Sequence, residues 1–357
     1  MGGAERVLSD VASELAERGH DVSILTFDRA GGASLYPLHG KIRRLNLGLG
    51  DVREKSSFME TWKRICALRR LIRKEKPDAV AAFMHSMFVP MAFALIGTGT
   101  PVIASEHTSI EHYRSRKLEF LLLLASSFFA SRVTVLSERI KSSYPRLVQE
   151  RMTVISNPVG VPAAEADPGC EKSFPKVILN VGRLDPSKNQ DILIGAFAKL
   201  AVRFPDWIVR IVGEGELRQD LEKLINDMGF GELIFLPGTI ADISSEYQKA
   251  HIFAFPSAYE SFGLAAAEAM AHGLPVVGLS GCAGINELII DNENGFLAEG
   301  EDRAEAQSLA LEKLMKSTAL RAKMGEKARE AVKPLRPEII VKKWEDIFME
   351  LDSRASQ

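Results

Sequence analysis

The sequence predicts an α/β protein made of two parallel-sheet domains. Three observations carry this. Short apolar runs alternate with helical periodicity through both halves of the chain. A stretch rich in Pro, Ala, Gly and Asp, residues 159–175, interrupts the alternation and reads as a linker. Glycine or charge follows several expected strands of the second half, where an open sheet keeps its ligand. Two Rossmann-like domains facing a central cleft follow from this. The expected boundaries are 1–160 and 161–336. A last helix over 337–351 returns to the first domain, because Ile340, Trp344, Ile347, Phe348 and Leu351 must pack on something.

Composition agrees. A chain of 357 residues fits two domains of ~150 residues each. Its 46% apolar and 26% charged content are those of a soluble globular protein. A net charge of -2 implies no nucleic acid partner. The charge is uneven, however. Residues 1–160 carry 23 Lys and Arg against 16 Asp and Glu, so the first half is expected to meet an anionic surface or substrate. Three well-separated cysteines give no metal pattern and suggest a reducing compartment. The expected location is the cytoplasm, with no signal peptide and no apolar run of the ~18 residues that span a membrane.

Along the first half, Ala4 to Arg18 has helical spacing, Gly19 ends it, and Val22 to Phe27 is a strand. Phe58 to Lys76 is a helix with Phe58, Trp62, Ile65, Leu68 and Ile72 on one side and six Lys and Arg over much of the rest. That basic surface is a solvated face or a lipid-touching one. Asp78 to Ala82 and Val102 to Ser105 are strands around a helix near Val89 to Ile96. Glu106-His107 then leaves a strand end, where His107 is a proton or hydrogen-bond partner or else simply structural. The very apolar Leu118 to Ala130 is expected to be a core helix, with a membrane-dipping surface as the alternative. Arg132 to Leu136 and Met152 to Ile155 complete the strands.

In the second half, strands are expected at 177–181, 207–212, 233–236, 251–257, 275–278 and 295–297. The pivot is Ala258 to Gly273. A buried strand ends at Pro256-Ser257, and a helix begins just after Ser261. The amides of Phe262, Gly263 and Leu264 then lack helical partners and suit an anion, and Gly263 allows close approach of a ligand. Glu260 and Glu268 frame this corner; phosphate would take the amides and sugar hydroxyls the carboxylates. After the strand at 177–181 come Gly182, Arg183 and Lys188, a guanidinium and an ammonium able to neutralise a diphosphate. Gly213-Glu-Gly215 is a further site of backbone approach, and Leu236 to Asp242, including Ile240, offers backbone groups to a nucleobase. No Asp-x-Asp and no His/carboxylate cluster is visible, so metal ligands: none.

These motifs resemble the family 4 retaining glycosyltransferases. The matching segments are Gly182-Arg183…Lys188, Gly213-Glu-Gly215, Pro256-Ser257, Glu260-Ser-Phe-Gly-Leu…Glu268 and Glu287 to Leu297, with Gly2-Gly-Ala-Glu-Arg6 and Asn157-Pro158 in the first half. The resemblance implies the glycosyltransferase B fold, a nucleotide-diphosphate sugar as co-substrate, no metal cofactor, and retention at the anomeric carbon. It implies that Arg183 and Lys188 bind the diphosphate, Glu260 and the 262–264 backbone hold sugar and phosphate, and Glu268 binds the ribose. It further implies that His107 lies near the transferred sugar and Gly2 and Gly3 beside the diphosphate. Family members begin with a strand that leads into the glycine loop, so the first strand of this domain is expected to be missing. The segment at Gly281 to Glu287 resembles bacterial members that build surface polysaccharide or lipid-linked oligosaccharide. The expected donor is a UDP-sugar carrying a hexosyl or N-acetylhexosaminyl group, and the expected acceptor is lipid-diphosphate-linked at the inner face of the cytoplasmic membrane. Arg69, Arg70, Arg73 and Lys74, or Arg114, Arg116 and Lys117, are the expected lipid contacts. The alternatives are a nucleotide-sugar epimerase of the same architecture and an inactive sugar-nucleotide-binding protein.

Overall fold

In the computed structural model, residues 3–28, 36–49, 58–171 and 174–355 are described. The chain divides into two compact units, Met1–Pro158 with Pro337–Gln357, and Val159–Arg336.

The first unit opens with α1 (Gly3–Glu17), β1 (Ser23–Thr26) and β2 (Arg43–Asn46). It continues with α2 (Phe58–Glu75), β3 (Val80–Phe83), α3 (His85–Ala94) and β4 (Val102–Ser105). Then come α4 (Lys117–Phe129), β5 (Arg132–Val135), α5 (Glu138–Ser143), α6 (Arg146–Gln149) and β6 (Met152–Val154). Its strands are all parallel but lie in two sheets, β1-β2 and β3-β4-β5-β6. Ile103 and Ala104 on β4 are fully buried, as expected of a strand covered on both faces.

The run from Leu118 to Ala130 is helical, but it is not the core helix that its composition suggests. Leu118 is 71% and Leu121 60% exposed, Phe128 and Phe129 are also exposed, and Leu123 faces the core. The small Ser126 and Ser127 take the other inward places, each returning its hydroxyl to a carbonyl of its own helix. Composition reports hydrophobicity and not which side is covered, so this run could not be assigned from sequence alone.

The second unit carries β7 (Lys176–Val181), α7 (Gln190–Ala198), β8 (Trp207–Val212), α8 (Arg218–Asp227) and β9 (Ile234–Gly238). It continues with α9 (Ile243–Lys249), β10 (Ile252–Phe255), α10 (Leu264–Ala271), β11 (Val276–Leu279) and β12 (Gly295–Ala298). Helices α11 (Arg303–Lys316) and α12 (Thr318–Val332) close it. The six strands are parallel in the order β12-β11-β10-β7-β8-β9. Its first and fourth strands are therefore neighbours, and the order reverses between them, as in a doubly wound nucleotide-binding sheet. Ile178 and Leu179, adjacent in sequence and so on opposite faces, are both fully buried, as are Ile252, Phe253, Val276 and Val277.

The expected linker, residues 159–175, lies in the second unit, and its residues 159–171 are tied to that unit. The Val159 amide donates to Leu335 at 2.8 Å and that of Ala166 to His272 at 2.8 Å, both within the second unit. The Pro168 carbonyl accepts from the buried Arg321 guanidinium, which also lies over Trp207. Proline and glycine mark a departure from periodicity, and here they mark an ordered strap.

The final helix, α13 (Pro337–Ala355), packs in the first unit. It contacts α1. Ile340, Val341, Trp344, Ile347 and Leu351 are buried, Trp344 stacks on Phe83 at 5.5 Å, and Glu345 takes Arg18 at 2.9 Å. Trp344→Ala is expected to destabilise the first unit by about 3–5 kcal/mol. Denaturant unfolding followed on that unit checks this; an unchanged midpoint would show that the helix contributes little.

Candidate functional site

The reversal of strand order places the ends of β7 and β10 side by side. The loops that leave them are tied together. Asn180 donates through Nδ2 to the Ala254 carbonyl at 2.8 Å, the Ala258 amide donates to Ser187 at 2.9 Å, and Asn189 Nδ2 donates to Pro256 at 3.2 Å. Asp185 caps a short 3-10 turn, Pro186–Lys188, by accepting from the Ser187 amide at 2.9 Å. That turn sends Lys188 across the junction, where its ammonium pairs with the Glu260 carboxylate. Both side chains are mostly buried, whereas Arg183 is 66% exposed and pairs with Asp185 at 3.2 Å. The structure thus brings Arg183, Lys188 and Glu260 to one corner, with each cation already facing a carboxylate.

The helix after this corner starts later than expected, at Leu264, with Gly263 as its N-cap at φ 83 and ψ 52. A β-carbon on Gly263 would come within 2.5 Å of the Ile285 side chain, so glycine is needed there for its left-handed backbone and for that packing. The Phe262 amide is covered: a β-carbon on Gly284 would lie 2.6 Å from it, and the Gly284 amide donates to the Glu260 carbonyl at 3.0 Å. The amides at the start of α10, Leu264 and Ala265, donate to no backbone carbonyl among the described residues. Nearby Cys282 is buried, and desolvation, assisted by Glu260, pushes its thiol up to about 12, so it is inert as a nucleophile.

Gly213 and Gly215 also serve the protein's own backbone. A β-carbon on Gly213 would meet the Gly182 carbonyl oxygen at 1.9 Å, and one on Gly215 the Leu184 carbonyl oxygen at 2.2 Å. Gly182 in turn donates to Val212 at 3.0 Å, and Gly213 to Gly238 at 2.9 Å. These glycines let three strand ends close tightly on one another. Ile240, just past β9, is half-buried.

Glu268 lies on the second turn of α10. A residue missed in the sequence positions it: the buried Tyr247 hydroxyl lies 3.1 Å from Glu268 Oε2 and 3.2 Å from the Ala265 carbonyl. Tyr247 stacks on His272 at 4.8 Å, and His272 is anchored to the Glu268 carbonyl at 2.8 Å. No local pattern could signal this, because Tyr247 sits on α9.

In the first unit, Gly2 lies outside the described residues, and Gly3 is the exposed first residue of α1. His107 follows β4. Its Nε2 lies 3.0 Å from Ser105 Oγ, which accepts from Thr134 at 2.8 Å, and its ring stacks on Phe83 at 5.0 Å. Burial lowers its pKa to about 4, so it is neutral at neutral pH. The preceding Glu106 is 1% exposed and burial raises it to about 7, against the pull of hydrogen bonds from Tyr113 at 2.8 Å and the Thr108 amide at 2.7 Å. A carboxyl titrating near neutrality at a strand end was also missed, since burial cannot be read from Glu106-His107 as letters.

Folding also assembles a His/carboxylate group that the sequence does not show: His85, His112 and Glu119, in the first unit. Among the described residues no helix is long and apolar enough to cross a membrane.

Residues 1–161 match the family described as Glycosyltransferase Family 4, and residues 168–331 match Glycosyl transferases group 1. Between them the two account for most of both units, and the chain belongs to the family 4 glycosyltransferases. It is similar over 98% of its length, at 28% identity, to a Campylobacter jejuni protein of which 96% is covered, the GalNAc-alpha-(1->4)-GalNAc-alpha-(1->3)-diNAcBac-PP-undecaprenol alpha-1,4-N-acetyl-D-galactosaminyltransferase. It is 25% identical to the amylovoran biosynthesis glycosyltransferase AmsD of Erwinia amylovora, over 97% of this chain and 96% of that one. Its fold is that of Anabaena HepE, crystallised with UDP and glucose, with a TM-score of 0.79 over 98% of this chain and 96% of that one, at 22% identity. The protein is thus a glycosyltransferase with the glycosyltransferase B fold, and the epimerase alternative is set aside.

The raised Glu106 has a sign that can be measured. Its folded pKa of about 7 exceeds the ordinary value of 4.5, so the folded state holds more protons in that window and stability falls as pH rises through it. His107, lowered from 6.5 to about 4, acts oppositely between those values. Glu106→Gln is expected to gain stability on the wild type as pH goes from 5 to 8, by up to about 3 kcal/mol. Melting at both pH values checks this; a constant difference would contradict the buried acid.

Proposed function

We propose that this enzyme moves a hexosyl or N-acetylhexosaminyl group from a nucleotide-diphosphate sugar, UDP-linked by preference, to a lipid-diphosphate-linked saccharide, with retention at the anomeric carbon. The observation that carries the proposal is the Lys188–Glu260 pair, with Arg183 beside it, at the reversal of strand order.

The arrangement works as an exchange. Without donor, Lys188 is neutralised by Glu260 and Arg183 by Asp185. The donor diphosphate is a denser anion and takes both cations, with the amides opening α10 completing its cradle. Glu260, released, accepts hydrogen bonds from sugar hydroxyls. Glu268, fixed by Tyr247, holds the ribose. As the sugar–phosphate bond lengthens, charge grows on the diphosphate, and the same two cations stabilise it in place of a metal. In the first unit His107, neutral through burial, gives or accepts a hydrogen bond at the transferred sugar without adding charge. The leaving phosphate oxygen takes the acceptor's proton on the face from which it departs, which retains configuration.

The acceptor reading is supported by the outer surface of the first unit. Exposed Leu118, Leu121, Phe128 and Phe129 on α4 share that unit with exposed Met59 and Trp62 on α2. Arg70, Arg73, Lys74, Arg114 and Lys117 are exposed beside them in sequence. Arg69 is not available in the same way, because it caps α3 through the Ala94 and Ile96 carbonyls, each at 2.8 Å. Exposed apolar side chains together with exposed Lys and Arg in one unit suit the anionic inner face of a membrane.

Arg183→Ala with Lys188→Ala is expected to weaken nucleotide-sugar binding by more than about 100-fold, with a lowered melting temperature because the mostly buried Glu260 is left unpaired. A donor panel read by UDP and GDP release against a lipid-extract acceptor, with the anomeric configuration of the product determined, tests the reaction. Unchanged affinity, or an inverted product, would refute it. For the membrane, Leu121→Ser with Phe128→Ser is expected to lower flotation on vesicles containing anionic lipid. Equal flotation of variant and wild type would refute the surface assigned here.

A further inference from the structure

His85, His112 and Glu119 play no part in the reaction above, yet one ligating atom from each lies within 4.8 Å of the others. They come from three elements. His85 opens α3 directly after β3, His112 lies in the 3-10 turn Ile110–Tyr113, and Glu119 is in the first turn of α4. His85 Nε2 is 3.7 Å from Glu119 Oε2, and the two imidazole centroids are 5.5 Å apart. That Glu119 oxygen is buried and accepts no hydrogen bond. The same oxygen is ion-paired to Arg116 at 3.5 Å and faces His85 without a hydrogen bond, in a carboxylate that is 44% exposed, so an exchangeable cation holds the place a metal ion would take.

The surrounding hydrogen bonds prepare one of the rings. The Tyr113 hydroxyl lies 2.8 Å from Glu106 Oε2 and 2.9 Å from His85 Nδ1. A phenol has one proton to give. The phenol engages His85 Nδ1, which leaves Nε2 as the ring position on the Glu119 side. Such outer hydrogen bonding is how metal-bound histidines are held in one tautomer. Burial and the neighbouring His112 lower the pKa of His85, and burial with the nearby Arg116 lowers that of His112.

We propose that His85, His112 and Glu119 bind one divalent cation of the zinc class, with a fourth position left for water. Two imidazoles and a carboxylate are the donor set that zinc takes at sites with an open position. Arg116 is the group that opposes it. Its guanidinium lies 3.0 Å from His112 Nε2 and 3.5 Å from Glu119 Oε2, and it must turn aside. It is 49% exposed and has solvent to turn into. The bound ion pins α3, the 3-10 turn and α4 to one another, and through Tyr113 it fixes Glu106, the neighbour of His107.

The test is metal binding itself and does not depend on sugar transfer. Full-length protein, dialysed against chelator, is titrated with Zn2+ in competition with a chromogenic chelator, and with Co2+ for its visible spectrum. The expected result is one equivalent of Zn2+ bound with Kd below about 1 μM and a tetrahedral cobalt spectrum. His112→Ala and Glu119→Gln should each weaken binding at least about 100-fold, Tyr113→Phe about 10-fold, and Arg116→Gln should strengthen it. Circular dichroism confirms that each variant is folded. Wild-type binding weaker than about 100 μM overturns the proposal. So does binding that His112→Ala and Glu119→Gln leave unchanged, which would place the ion on other ligands.

Discussion

The second unit depends on one constraint: two loops leaving adjacent parallel strands must place opposite charges within reach while staying mostly out of water. The Lys188–Glu260 pair meets it. Desolvating one such charge alone would be costly, so each requires the other until a stronger partner arrives. The neutral hydrogen bonds on either side, from Asn180, Asn189 and the Ala258 amide, hold the backbone so that the pair can separate without the loops coming apart. On the proposed reading, affinity for an anion is coupled to release of the Glu260 carboxylate.

The glycines around this corner set how closely the strand ends approach. Gly213 against Gly182, and Gly215 against Leu184, bring backbone to backbone at distances no side chain would allow. Gly263 turns the chain into α10 against Ile285. The result is a rigid floor. Because the positions of Arg183, Lys188 and the opening of α10 are all inherited from it, a methyl group at Gly213 would disturb binding without touching a ligand.

Much of this was legible in the sequence, for physical reasons. Short apolar runs such as Val177-Ile-Leu179 between glycine and proline read as strands covered on both faces, and the glycines and charges at their ends are the groups that meet at the reversal of strand order. The purpose of those glycines was not legible, because close approach of a ligand and close approach of another strand ask for the same residue. Nor was the outward face of α4, since Leu118 to Ala130 lacks the polar stripe that would orient it. The groups that position or titrate, Tyr247 against Glu268 and Tyr113 against Glu106, join separate elements and exist only once the chain has folded. The same holds for His85, His112 and Glu119.

The two units divide the physical problem. The second holds paired cations and backbone amides at one corner, which the proposal gives to a diphosphate, while the first holds buried, neutral or near-neutral groups after β4 and exposed apolar side chains. At the centre is the claim that Glu260 competes with the diphosphate for Lys188. Calorimetric titration of Glu260→Gln with whichever of UDP and GDP the wild type binds tests it most directly. The account predicts that the free nucleotide, which has no sugar to lose, binds the variant more tightly than the wild type. Weaker or equal binding would contradict it.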